Sequence, residues 1–151
     1  MTPAQIFQAA SALALLGWLL LALGVMANGA VWRRGLLRAG GRVVPMLLCA
    51  VYMAVLVAHW GSTPGGNFNS LAGVAMLFSS PGKLLGGWVH YLAFDLFVGR
   101  WIVDDVLASA RSRAWLLICL PLTFLFGPAG LLLYFSVRLT TPARSLPSWS
   151  C

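Results

Sequence analysis

The stretch from Gly82 to Asp105 reads GKLLGGWVHYLAFDLFVGRWIVDD. It is long enough to cross a bilayer, because about twenty mostly apolar residues span a hydrocarbon core of roughly 30 Å. Yet His90, Asp95 and Arg100 lie inside the apolar run. Inserting an Asp or Arg at the centre of a membrane helix costs on the order of 3 kcal/mol. Such side chains face other helices or a wet cavity and mark a candidate functional site. No other apolar segment of the chain holds an acid.

The composition around this stretch points the same way. The 151 residues are 60% hydrophobic and 9% charged, against roughly 25% charged in soluble domains. An integral membrane protein is expected. Lys and Arg outnumber Asp and Glu by ten to three, but they sit between apolar runs, where topology signals belong. No nucleic-acid partner is expected. Cys49, Cys119 and Cys151 show neither metal-site spacing nor a paired framework.

Working outward, the apolar runs predict an all-α, four-helix membrane bundle with spans at about 6–27, 43–60, 83–103 and 115–137. These make a single domain over 1–138, followed by a disordered, Pro- and Ser-rich tail over 139–151. The first run is not a signal peptide, since no Lys or Arg precedes it and it is too long. Arg33, Arg34, Arg38 and Arg42 follow as a basic connection. In the second span Pro45 suits a first helical turn, and Tyr52 and His59 share a face two turns apart. Between spans two and three, Phe68, Leu71, Ala75 and Phe78 recur at helical spacing and predict a short interfacial or re-entrant helix. Ser79 is the expected N-cap of the motif helix, with Pro81 in its first turn. In the fourth span Pro121 and Pro128 interrupt the hydrogen-bond ladder. The kink over 127–130, including Gly130, is expected to face the interior, with Tyr134 one turn on.

Within the motif helix, Gly82 and Gly86 form a small-xxx-small pair that permits close helix approach, including self-association. His90 and Asp95 are roughly 140° apart around the axis and about 7.5 Å apart along it. They cannot form a single-face dyad, so one cavity can hold both only by wrapping the helix or using a second one. Arg100 and Asp104 can pair at i,i+4. Six arginines between odd-numbered loops against three cations elsewhere place those loops in the cytoplasm and both termini outside.

Phe78-Ser79-Ser80, Trp88-Val89-His90, Asp95-Leu96-Phe97, Arg100 and Asp105 resemble the abscisic-acid-deficient-four-like family of small four-helix membrane proteins, as does the Pro128-Ala129-Gly130 break. The similarity covers roughly Ala10 to Arg138, and Phe78 to Asp105 is its specific part. The family's plant member is linked to the conversion of violaxanthin to neoxanthin. The resemblance therefore implies a redox-neutral isomerase acting on a carotenoid or another polyisoprenoid, with no cofactor required. An acid protonates an epoxide oxygen while a base takes a neighbouring C–H proton. His90 and Asp95 are the candidate catalytic residues, and Trp88, Tyr91, Arg100, Tyr134, Tyr52 and His59 the candidate substrate-binding ones. Gly82, Gly86, Asp104, Asp105, Pro128 and Gly130 are structural candidates. Two histidines and one buried acid could alternatively hold a metal. The other reading is a non-catalytic carotenoid or lipid binder, alone, as a homo-oligomer or as accessory to a partner membrane enzyme. With no chloroplast transit segment, a bacterial inner membrane is the expected location.

Overall fold

The computed structural model describes residues 1–109 and 112–140. The described residues form α-helices, a π-helical segment and one short 3-10 turn over 113–115, with no strand among them. Helix α1 (Pro3–Met26) starts at a capping box: Gln5 N donates to Thr2 Oγ1 at 3.3 Å, and Thr2 N donates to Gln5 Oε1 at 2.8 Å. Its buried residues, Ala10, Ala14, Gly17, Leu21 and Gly24, form one mostly small stripe. Small residues let backbones approach closely. A Cβ added at Gly40 would lie 2.6 Å from the carbonyl oxygen of Gly17.

The second long helix begins well before residue 43. Helix α2 (Ala30–Arg38) continues through a π-helical segment (Ala39–Val43) into α3 (Val44–Ala58), giving one 29-residue helix. The expected basic connection is thus helical: arginine and leucine are good helix formers, and the unfavourable Gly40-Gly41 pair is held in the helix by close packing against Gly17 of α1 and Arg100. Pro45 is the second residue after the π segment. A proline ring clashes with the carbonyl four residues back in a regular α-helix. The wider turn here lets Val44 N bond Ala39 O, five residues back.

Helix α4 (Leu71–Phe78) is the expected short helix, capped by Ser70 Oγ accepting from Gly73 N at 3.0 Å. The N-cap of α5 (Pro81–Ala108) is Ser80, one residue later than the sequence suggests. Ser79 instead closes α4, its hydroxyl donating to Met76 O at 2.7 Å. Helix α5 is the central element and packs against α1, α3, α4, α6 and α7. Gly82 and Gly86 face α3 of the same chain, Gly82 beneath the His59 ring and Gly86 beside Val55 and Tyr52.

The single helix expected over 115–137 does not form. The segment breaks at Gly127 (φ +26°, ψ −85°) into α6 (Leu116–Phe126) and α7 (Pro128–Thr140). The α6 carbonyls of Phe124 and Leu125 meet the Tyr91 hydroxyl, and Gly127 meets Asp95. From there α7 runs toward the other end of α5. The Tyr134 and Phe135 rings lie 5.7 and 5.6 Å from Trp101, and the Tyr134 hydroxyl donates to Asp105. The two short helices therefore double back as a hairpin, closed where Gly130 packs on Thr123. The physical reason is a positive φ at a glycine, which side-chain-bearing residues rarely adopt. Gly127 and Gly130 are buried as expected, but Pro128 is exposed, where it serves as the first residue of α7. Leu139 and Thr140 complete α7, and the remainder of the expected tail, 141–151, lies outside the described residues.

Helix α1 and the helix Ala30–Ala58 are each long and apolar enough to cross a membrane. Only 28% of the most apolar window of each is buried within the protein.

Gly127→Ala should destabilise the fold by about 1–3 kcal/mol, because a strained φ is forced on a non-glycine residue and the new Cβ would collide with Asp95 Oδ1. Gly35→Ala is the control, since nothing lies within 4 Å of its added Cβ. Thermal unfolding in detergent should separate the two, with a lower midpoint for the Gly127 variant only.

Candidate functional site

Two faces of α5 carry the polar side chains that the sequence singles out. On the α3 face, the exposed His90 ring stacks on Phe94, with centroids 4.4 Å apart, and tilts against Tyr52 at 5.6 Å. His90 and Tyr52 line a cavity of about 470 Å³ between α3, α4 and α5. Lys83 and Gly86 of α5, Leu77 and Phe78 of α4, and Trp60 and Phe68 of the connection after α3 line it too. Lys83 Nζ donates to Thr63 Oγ1 at 2.5 Å, which ties the connection after α3 to α5.

On the opposite face, Asp95 is 8% exposed and lies against Gly127. Among the described residues, its Oδ2 makes no hydrogen bond of regular geometry. Tyr91, one turn earlier, approaches the carboxyl and donates its hydroxyl to Leu125 O at 3.2 Å or Phe124 O at 3.4 Å. These contacts make Asp95 and Tyr91 the inner lining of the α6–α7 elbow. The expected common cavity for His90 and Asp95 does not form, because their angular offset points them at different neighbours.

Tyr91 also edges a second cavity, of about 640 Å³, between α1, α4 and α5. Phe7, Trp88 and Tyr91 form an aromatic ladder along it, with centroid spacings of 5.4 and 5.5 Å. Trp88 Nε1 donates to Ser11 Oγ at 3.1 Å. Phe78 sits directly on Gly87, where a Cβ would lie 2.5 Å from its ring, and both residues border both cavities. Phe78 is therefore the partition between the His90 and Tyr91 faces.

Other candidate residues lie elsewhere. The His59 ring covers Gly82, and its Nδ1 pairs with Val55 O at 3.0 Å. It edges a separate cavity near Ile6 and Ala58. Arg100 pairs with Asp104 at 2.7 and 2.8 Å rather than reaching a cavity. Tyr134 is buried and donates to Asp105, whose other oxygen lies 3.5 Å from Arg138 Nη1. The Asp105 contacts with Tyr134 and Arg138 tie α7 to α5, whereas the Arg100–Asp104 pair lies within α5. Among the described residues no three of His, Cys, Asp and Glu converge on one point, which leaves a metal on His59, His90 and Asp95 without a shared centre.

Lys83 is the group that sequence reasoning missed. Lys83 precedes His90 by two helical turns and so shares its face. That register was the available signal. Phe78 stands out in the sequence for its helical spacing and its Phe78-Ser79-Ser80 motif, but not as a partition, because its contact with Gly87 is tertiary.

A helical chain whose apolar central helix carries Trp88, His90, Asp95, Arg100 and Asp105, flanked by two grooves, defines a small all-helical protein built around one motif helix. The chain belongs to the ABA DEFICIENT 4-like family, whose model matches residues 5–134. It is also similar to Protein ABA DEFICIENT 4, chloroplastic, of Arabidopsis thaliana, at 36% identity over 69 residues. That match covers 45% of this chain and 30% of the relative. No solved structure matches.

Tyr91→Phe should cost about 1 kcal/mol by removing the donor to the α6 carbonyls. Tyr52→Phe removes a hydroxyl with no hydrogen bond to a described residue and should leave stability unchanged. Equal midpoints for the two variants in detergent would show that Tyr91 does not hold the elbow.

Proposed function

We propose that the protein is an integral membrane protein that takes the end group of a carotenoid or related polyisoprenoid into the His90 cavity and isomerises it without a redox cofactor. The carrying observation is that cavity: an apolar groove whose few polar groups, His90, Lys83 and Tyr52, line it from two helices. Ligand sites are typically apolar clefts with a small number of placed polar groups. Family membership supports the substrate class, through the plant member's link to neoxanthin synthesis.

The chemistry is redox-neutral. An epoxide C–O bond opens as a neighbouring C–H loses its proton, giving an alcohol and a new C=C of an allene. His90 is the base, since an imidazole nitrogen can take a proton from a positioned C–H and the ring's contacts with described residues are the aromatic ones to Tyr52 and Phe94. The proton donor to the oxygen comes from the same cavity, from Lys83 or Tyr52. Asp95 positions the elbow and does not act in this step.

Membrane insertion is supported by the outward apolar surface, including Leu16, Leu19, Leu23, Met46, Met53, Leu117 and Ile118. An exposed apolar belt of this extent is unfavourable in water. Helix α6 has 11 residues, about 16 Å at 1.5 Å per residue, roughly half of a hydrocarbon core. The α6–α7 hairpin is then re-entrant rather than spanning. Its broken backbone at Gly127 lies against protein, the one setting in which irregular backbone survives at membrane depth. The end of α7 then joins the arginine-rich side. Among the described residues Arg33, Arg34, Arg38, Arg42, Arg113 and Arg138 fall on one side against Lys83 on the other. That six-to-one bias supports a cytoplasmic arginine side.

Topology is tested by labelling intact cells with a membrane-impermeant maleimide. A cysteine introduced at Ser62 should react from outside, whereas Cys151 and a cysteine at Arg38 should react only after permeabilisation. Labelling of Cys151 from outside would restore a fourth full span.

The catalytic reading is tested by incubating the purified protein with an epoxy-carotenoid. Because product and substrate are isomers of equal mass, chromatography and the absorption spectrum provide the readout. Wild type should convert it, and His90→Gln should lose turnover by about 10²-fold or more while still retaining pigment. Retention without conversion by the wild type would make the protein a binder.

A further inference from the structure

The α3/α5 groove continues past His90 toward the arginine-rich end. Beyond the Phe94 ring lies another cavity, of about 540 Å³, lined by Pro45, Met46 and Cys49 on one helix and Ala93 and Phe97 on the other. Its one charged lining residue is Arg42, at the end nearest the basic cluster. We propose that this groove binds an acyl chain of an anionic phospholipid, whose headgroup phosphate is held by Arg42 and Arg38. The proposal rests on the membrane reading above and is independent of the catalytic one.

Three observations carry it. The first is charge complementarity. Arg38 and Arg42 are both exposed and form no ion pair among the described residues, and the helix Ala30–Ala58 contains no acid. Arg100, whose stem crosses Gly41 beside the groove, is already neutralised by Asp104. The unneutralised charge is therefore at the mouth of the groove, where a phosphate would sit above its own tail.

The second is the π segment. Arg42 lies within Ala39–Val43. A π-bulge inserts one extra residue in a turn and so rotates the turns before it by about 100° relative to the turns after it. The arginines before the bulge are thereby re-aimed relative to the apolar face of α3. Such bulges recur at functional sites.

The third is position. On the proposed topology, the groove lies in the cytoplasmic leaflet, the one whose anionic lipids attract basic residues next to membrane helices. Its wall is apolar along its length, which suits a hydrocarbon tail and not a water-soluble anion.

Cys49 provides the test, because it is exposed and lines the groove. The full chain is purified in a neutral detergent, and the alkylation rate at Cys49 is followed by peptide mass spectrometry while phosphatidylglycerol or phosphatidylcholine is added. Phosphatidylglycerol should slow alkylation at concentrations at least about fivefold below those needed for phosphatidylcholine. Arg38→Gln with Arg42→Gln should abolish that difference without changing the rate in detergent alone. Native mass spectrometry of wild type should show a retained anionic phospholipid that the double variant lacks. Equal protection by the two lipids, or a lipid preference that survives the double substitution, overturns the site. Fractionation separates this failure from that of the membrane reading: a protein found in the soluble fraction overturns both, and a membrane-bound protein without lipid preference overturns the site alone.

Discussion

A carboxyl side chain lodged where a glycine leaves room shapes the C-terminal half of this protein. Asp95 occupies the space that a Cβ at Gly127 would fill, and Gly127 adopts a backbone angle that suits glycine. The chain reverses there. Because Gly127 directly precedes α7, the carboxyl also lies at the positive end of that helix's dipole, where an anion is favoured. Ten residues further along α5, about 15 Å at helical rise, Asp105 accepts from Tyr134 and faces Arg138. One acid holds the tip of the hairpin and the other its return. Neither contact works alone: without the second, α7 could leave α5 at any angle.

Much of this arrangement was legible in the sequence and some was not. The all-helical character, the short helix before the motif helix, the Arg100–Asp104 pair and the divergence of His90 from Asp95 all follow from local periodicity. Residue spacing on a helix fixes direction whatever the neighbours are. The hairpin was not legible. A run such as Trp115 to Val137, with prolines at 121 and 128 and glycines at 127 and 130, reads equally as a kinked helix or a reversed one. What decides between them is the meeting of Tyr134 with Asp105, a contact twenty-nine residues apart. The start of the second helix was misread for the opposite reason. Four arginines and a Gly40-Gly41 pair look like a loop, yet arginine is a good helix former, and the two glycines are kept helical by tertiary contacts with Gly17 and Arg100 that local sequence does not show.

The two faces of α5 also divide the chemistry. His90 shares a groove with Tyr52 and Lys83, whereas Asp95 and Tyr91 belong to the elbow, and Phe78 on Gly87 separates them. A buried acid in an apolar helix is a natural catalytic candidate, because an uncompensated one is so unfavourable. Here much of that unfavourable energy is offset by architecture. The acid fills a vacancy and orders a reversal. The histidine carries no comparable structural load: its ring is exposed, and its contacts are aromatic and apolar. The proposed base is therefore the residue of the pair that the fold can spare.

The π segment shows how the N-terminal half solves a related problem. Gly40 must lie against Gly17 of α1, and Gly41 must lie beneath the Arg100 stem of α5, on adjacent residues of one helix. Adjacent residues of an α-helix are separated by about 100°, so this turn has to present bare backbone to two neighbours at once. Pro45, two residues beyond the π segment, would clash with the Gly41 carbonyl four residues back in a regular α-helix. Widening the turn moves that carbonyl out of the way of the proline ring, in the same turn where Gly40 and Gly41 bring bare backbone against α1 and α5. The same widening changes the direction in which Arg38 and Arg42 leave the helix relative to α3. The packing requirement of two glycines and a proline thereby sets where the positive charge of the chain meets the groove.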